Sequence, residues 1–178
     1  MREVNARELV SVTGERVQVP DPDALVHLQF RRFAGCPICN LHLRSVVARH
    51  AEITAAGIRE VVFFHSPAAE LRSYDLPFAV VADPDKRYYR DFGVESDRRA
   101  LLHPRVWGAI LRGSAMTLLG RFRPPAVRQA GGRLGLPADF LIAPDGRVLA
   151  AKYGKHANDQ WSVDELLTHA GAAARSLS

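Results

Sequence analysis

LVHLQFRRFAGCPICNLHLRSVVARHAEITAAGIREVVFFH, residues 25–65, contains both cysteines of the 178-residue chain, and its reading decides the fold. Leu25 to Phe30 is an apolar, β-friendly run and predicts a strand that enters just before the cysteines. Pro37 suits the first position of a helix, where its missing N–H costs nothing. Ile38, Leu41, Val46, Ala48 and Ile53 supply an apolar stripe nearer to helical than to strand period, and Gly57 is a natural stop. Ile58 to His65, with its β-branched and aromatic residues, predicts a buried strand. The two cysteines therefore fall at the start of a helix between two strands.

A thiol in that position meets unpaired N–H groups and the positive end of the helix dipole, which favour the thiolate of Cys36. Cys39 follows one turn later on the same side, close enough to close a small disulfide ring. The first thiolate attacks a substrate disulfide and the second resolves the mixed disulfide. Other uses of the pair remain open. Zinc commonly takes four N/S ligands, and a second C-x-x-C is absent; His42 with one of His50, His65 or His156 would have to complete the set. Covalent haem needs His directly after the second cysteine, where Asn40 stands. Two inert core thiols are the bland alternative; the Gly35 turn and the Pro37 start argue against it by placing the pair at an exposed helix end.

The remaining chain continues the alternation. "SPAAELRSY" predicts a helix with Ser66 as N-cap, and "PFAVVADPDKRYYRDFGV" predicts a strand, a turn and a short helix ending at Gly93. "ADFLIAPDGRVLAAKYG" reads as a hairpin and "SVDELLTHAGAA" as a closing helix capped by Ser162 and Glu165. The expectation is a mixed central sheet flanked by helices, one α/β domain over residues 1–178. The composition, 47% hydrophobic and 24% charged, is that of a soluble globular protein. No apolar run reaches the length of a membrane span. The N-terminus lacks a signal-peptide core, so the expected compartment is the cytoplasm, where a close cysteine pair is more often catalytic or metal-binding than structural.

"GCPIC" after a strand, "PFAVVADPDKRYYRDFGV" and "LPADFLIAPDGRVL" together resemble the thioredoxin superfamily, and more closely its peroxiredoxin-like (AhpC/TSA) branch, over roughly residues 10–172. The resemblance implies a thioredoxin-like fold, with a basic helical insertion before the last hairpin. It also implies a cis peptide at Leu136–Pro137, lying against the reactive cysteine. Two positions depart from a peroxidase. Phe33 stands three residues before Cys36, where peroxiredoxins carry Thr or Ser to bond the peroxide. Pro137 stands where they carry an arginine that steadies the thiolate, so Arg31, Arg32 or Arg133 would have to supply that charge. What is left, C-P-x-C with a cis-proline, is the equipment of dithiol–disulfide exchange.

The expected function is thus a thiol–disulfide oxidoreductase with Cys36 as nucleophile and Cys39 resolving, shaped by Phe33, Gly35, Pro37, Leu136 and Pro137. It would need no metal and no cofactor, and an external thiol would return its electrons. The first alternative is a peroxidase reducing hydroperoxides with Cys36 peroxidatic; the resemblance also suggests a homodimer. The second is a non-catalytic binding module using the insertion at about 97–133. From Arg98 to Arg133 there are eight arginines and no Asp, Glu or Lys; against a net charge of +5 these leave the rest of the chain at −3. The insertion reads either as a helical subdomain with a solvated arginine face, or as a wall over the cysteines that attracts anionic substrates. Charge alone is poor evidence for nucleic-acid binding, and no module for it is present.

Overall fold

Every residue from Val26 to Arg31 is buried, although His27, Gln29 and Arg31 alternate with Val26, Leu28 and Phe30. Alternation along a strand sends the two sets to opposite faces of the sheet. Both faces must therefore be covered, one by apolar packing and one by a polar network. The computed structural model, which describes residues 3–94, 104–122, 124–125, 132 and 135–177, shows how this is done.

The elements in chain order are β1 (Arg7–Val10), β2 (Arg16–Val19), β3 (Leu25–Arg31), α1 (Pro37–Ala48), α2 (His50–Ala55), β4 (Ile58–Phe64), α3 (Ala68–Leu71), β5 (Ala79–Ala82), α4 (Arg87–Asp91), α5 (Pro104–Leu118), β6 (Ala138–Ile142), β7 (Val148–Tyr153) and α6 (Val163–Leu177). Five strands form the central sheet in the order β5-β4-β3-β6-β7. β3, β4 and β5 run parallel, with Leu28 opposite Val61, whereas β6 pairs antiparallel to β3 and β7 antiparallel to β6. This is the expected mixed α/β sheet of a thioredoxin-like fold. An N-terminal hairpin of β1 and β2, which the sequence reading did not anticipate, adds Leu9, Val17 and Val19 to the core on the Phe30 face. Phe30 stacks on Phe63 at 4.8 Å there, edge-on to Tyr89 and Phe140.

Three local expectations change. The single helix from Pro37 to Gly57 is two helices: Arg49 leaves helical geometry at φ −115°, and its guanidinium bonds both oxygens of Glu52, at 2.8 Å each, and Asp164 at 2.6 Å. Ser66 does not cap α3; Pro67 occupies that position and the Ser66 hydroxyl accepts the Ala34 N–H at 3.0 Å. The Leu136–Pro137 bond is trans, and the cis bond among the described residues is Val19–Pro20. The Pro137 carbonyl accepts the Gly154 N–H at 2.8 Å, so this segment simply extends the β6–β7 pairing by one residue.

On the opposite face, His27 lies between Glu60 at 2.8 Å and Asp139 at 3.2 Å, and Gln29 donates to Glu60. Arg31 donates to Asp139 at 2.6 Å, Gln29 at 2.8 Å and the His42 Nε2 of α1 at 3.0 Å. The second Asp139 oxygen takes the Trp161 N–H at 3.1 Å. Burial opposes charge on His27, but the two carboxylates prevail and push its pKa up to about 9. Removing one member of such a network leaves the others charged and dry. Asp139→Ala is therefore expected to lower stability by about 3–5 kcal/mol, read from urea unfolding; a loss within the range of ordinary surface substitutions would contradict the network's role.

Candidate active site

Cys36 is the N-cap of α1 and Pro37 its first residue. The approach to it is fixed by backbone hydrogen bonds. The Arg32 carbonyl accepts from His65 N–H at 3.1 Å, the Phe33 carbonyl from Cys36 N–H at 3.1 Å, and the Tyr74 hydroxyl takes the Gly35 N–H at 2.6 Å. Tyr74 donates in turn to Asn40 Oδ1 at 3.0 Å, which ties the loop to the first turn of the helix. Gly35 has φ +76°, and a Cβ there would come within 2.6 Å of Pro125 Cα, so both conformation and space require glycine.

Both cysteines are free thiols, at 0% and 1% exposure. The sequence reading places them at an exposed helix end; the insertion covers that end instead. Val106 of α5 joins the cluster around Cys36, Cys39 and Phe33, and a Cβ on Gly113 would lie 2.6 Å from Pro37 Cβ. The insertion thus supplies a helix packed on α1 as a wall over the pair.

Arg32 Nη1 lies 3.8 Å from Cys36 Sγ, and its guanidinium sits over the Phe33 ring at 5.1 Å. Arg31 is not at the sulfur; its guanidinium belongs to the polar network beneath α1. Arg133 lies outside the described residues. Burial alone would raise the pKa of Cys36. It is outweighed by the Cys39 thiol that donates to the sulfur, by the Arg32 charge and by the N–H groups of Cys39 and Ile38, which bring the value down from 9.0 to about 7. Cys39 is pushed the other way, by burial and by the thiolate beside it.

His42 faces Arg31, whose charge joins burial in holding the imidazole neutral. His65 is buried behind Phe33 with neither ring nitrogen hydrogen-bonded, and burial pushes its pKa down to about 4. Among the described residues no group of three or more His, Cys, Asp or Glu side chains is placed to hold a metal ion. Ser66 and Tyr74, which hold the cysteine loop, were not legible as site residues. Ser66 carries a helix-cap signal and Tyr74 none.

Two predictions follow from this geometry. Gly113→Val forces α5 away from Pro37, so Cys36 should react faster with iodoacetamide than in the wild type; an unchanged rate contradicts the wall. The second concerns pH. His27, at about 9 against an ordinary 6.5, contributes stability in full below 6.5 and loses it as pH rises through about 9. Cys36, at about 7 against 9.0, contributes stability in full above 9.0 and loses it as pH falls through about 7. The two slopes oppose one another between pH 7 and 9. Cys36→Ser removes one of them, so its melting temperature should fall more steeply with pH over that window than the wild type's; parallel curves would refute the assigned shift.

Comparison with known proteins agrees with this fold. Peroxidoxin BcpB from Mycobacterium tuberculosis superimposes with a TM-score of 0.66 at 18% identity, covering 97% of each chain. A mutant of peroxiredoxin 6 of Arenicola marina gives 0.72 at 13% identity, over 100% of this chain and 75% of the other. A putative thiol:disulfide interchange protein DsbE from Chlorobium tepidum gives 0.57 at 19% identity, over 97% and 95%. No curated protein sequence matches the chain. The family model described as AhpC/TSA antioxidant enzyme matches residues 45–156, a span that begins after the cysteine pair. The chain therefore belongs to the AhpC/TSA antioxidant enzyme family, as a thiol-dependent oxidoreductase on a thioredoxin-like fold.

Proposed function

We propose that the protein is a thiol–disulfide oxidoreductase in which Cys36 is the nucleophile and Cys39 the resolving thiol. The observation that carries this reading is the opposite treatment of the two sulfurs. Arg32 and the first N–H groups of α1 favour charge on Cys36, while Cys39 keeps its proton and donates it to that charge. The Cys36 thiolate attacks one sulfur of a substrate disulfide, the substrate S–S bond breaks, and the leaving thiolate takes up a proton from solvent. A mixed disulfide has no charge on Cys36, so the thiolate that raised the Cys39 pKa is gone while the Arg32 charge that lowers it remains. Cys39 then loses its proton and attacks Cys36 Sγ. The ring disulfide forms, the second substrate thiol departs, and two electrons have passed to the substrate. An external thiol donor reduces the ring for the next cycle.

Peroxidase activity with Cys36 peroxidatic is the second reading, favoured by the Arg32 guanidinium at the sulfur. It lacks a hydroxyl at position 33, where the Phe33 ring cannot hydrogen-bond a peroxide. Alkylation of Cys36 by iodoacetamide should follow a titration with a midpoint near pH 7. A midpoint near the free-thiol value of about 8.5 would exclude both readings. Cys39→Ser should accumulate the mixed disulfide with a small disulfide substrate and stop turnover. Rapid hydrogen peroxide consumption without disulfide reduction would reverse the ranking.

A further inference from the structure

A groove of about 470 Å³ runs along the flank of α1, within the roughly 300–1,000 Å³ that small-molecule sites occupy. Leu43 and Val47 of α1, Leu76 and Phe122 line it with apolar surface. Asn40 and Tyr74 line it as well, and these are the side chains that brace the cysteine loop through Gly35. Asn40, Leu43 and Val47 share one helix face. The groove thus extends roughly 10 Å from the residue after Cys39 to the second turn beyond it.

Arg44 and Arg121 also border the groove, with Asp75 as its acid. Among the described residues neither arginine has an ion-pair partner. Arg7, Arg16, Arg31, Arg49, Arg59 and Arg147 all have one. Asp75 makes no ion pair with either cation. Two uncompensated guanidinium groups beside an apolar trough favour a ligand with a negative head on an apolar body. A cavity of about 630 Å³ beside the N-terminal hairpin lacks this character. Its arginine, Arg59, is already bound to Asp21 at 2.7 Å, and its buried Glu60 to His27.

We infer that this groove is the substrate subsite of the dithiol and that it takes an organic anion, a carboxylate carried on an apolar chain or ring. The inference rests on the dithiol reading for the identity of the ligand as substrate; the binding itself does not depend on it. Arg121 lies within the insertion, just after α5, so the arginine-rich segment contributes to substrate choice as well as to the wall over the cysteines.

The test uses the full chain as Cys36→Ser, with decanoate as probe and decylammonium as its cationic counterpart, both followed by calorimetry. Decanoate should bind and decylammonium should not. Arg44→Glu and Arg121→Glu, both at exposed positions, should each weaken decanoate by about tenfold. Equal binding of the two probes, or decanoate affinity unchanged in both variants, overturns the subsite. With the cysteines intact, the ratio of kcat/KM for anionic dithiobis(nitrobenzoate) over neutral dipyridyl disulfide should fall by about tenfold in Arg121→Glu. Reduction of both disulfides with no decanoate binding overturns the groove alone. Decanoate binding with neither disulfide reduced overturns the assignment of that ligand as substrate, and the dithiol reading with it.

Discussion

Arg31 and Asp139, at 2.6 Å and 0% exposure, form an ion pair that neither could sustain alone in a dry interior. Desolvating two charges costs several kcal/mol each, so such a pair persists only when further hydrogen bonds offset that cost. Gln29, His42 and the carbonyls of Phe30 and Ala138 accept from the two Arg31 Nη groups, its Nε making no hydrogen bond, while His27 and the Trp161 N–H fill the positions of Asp139. These partners come from β3, β6, α1 and the entry to α6. The network therefore fixes where α1 lies across the sheet, and with it where the N-terminus of α1 presents Cys36. It balances to zero, two cations against two carboxylates, with His42 neutral. The neighbouring Arg32 is left to direct its charge at the sulfur.

The same reasoning applies to the cysteine pair at smaller scale. Burial by itself would keep both thiols neutral and unreactive. Two backbone N–H groups, one guanidinium and one thiol donor favour charge on Cys36, whereas the Cys36 sulfur joins burial in opposing charge on Cys39. The asymmetry comes from position on the helix. The N-cap sulfur lies where the first N–H groups are unpaired, and a sulfur one turn later does not. Any chemistry that uses the pair in sequence depends on this difference, and the covering insertion strengthens each interaction by excluding water.

The strand–helix–strand unit around the cysteines was legible because its signals are local: an apolar run, a proline at the first helical position, a glycine stop. The closing helix was legible for the same reason, since Ser162 and Glu165 form the reciprocal cap that their spacing implies. What was not legible depends on contacts between distant segments. The helix breaks at Arg49, whose side chain reaches Asp164, 115 positions away. Ser66 has the sequence of a cap and the job of holding Ala34, and the N-terminal hairpin gains its stability from a sheet face whose strands lie far along the chain. The proline at 137 carries the family resemblance without the cis bond, because the chain at that point only extends a strand pairing. Burial of the pair was missed for a related reason: the arginine-rich insertion gives no sequence sign of which surface it covers.

Phe33 gains meaning from its neighbour. In the sequence it marks an absence, a ring where a peroxidase keeps a hydroxyl. In the structure the ring lies under the Arg32 guanidinium at 5.1 Å and within the cluster that contains both sulfurs. A guanidinium held over an aromatic face still presents its edge N–H groups as donors. One of them, Nη1, points at Cys36. The substitution therefore exchanges a hydrogen-bonding group for one that orients a charge. It withdraws the partner a peroxide oxygen needs and keeps the cation a thiolate needs, and a dithiol centre requires only the second.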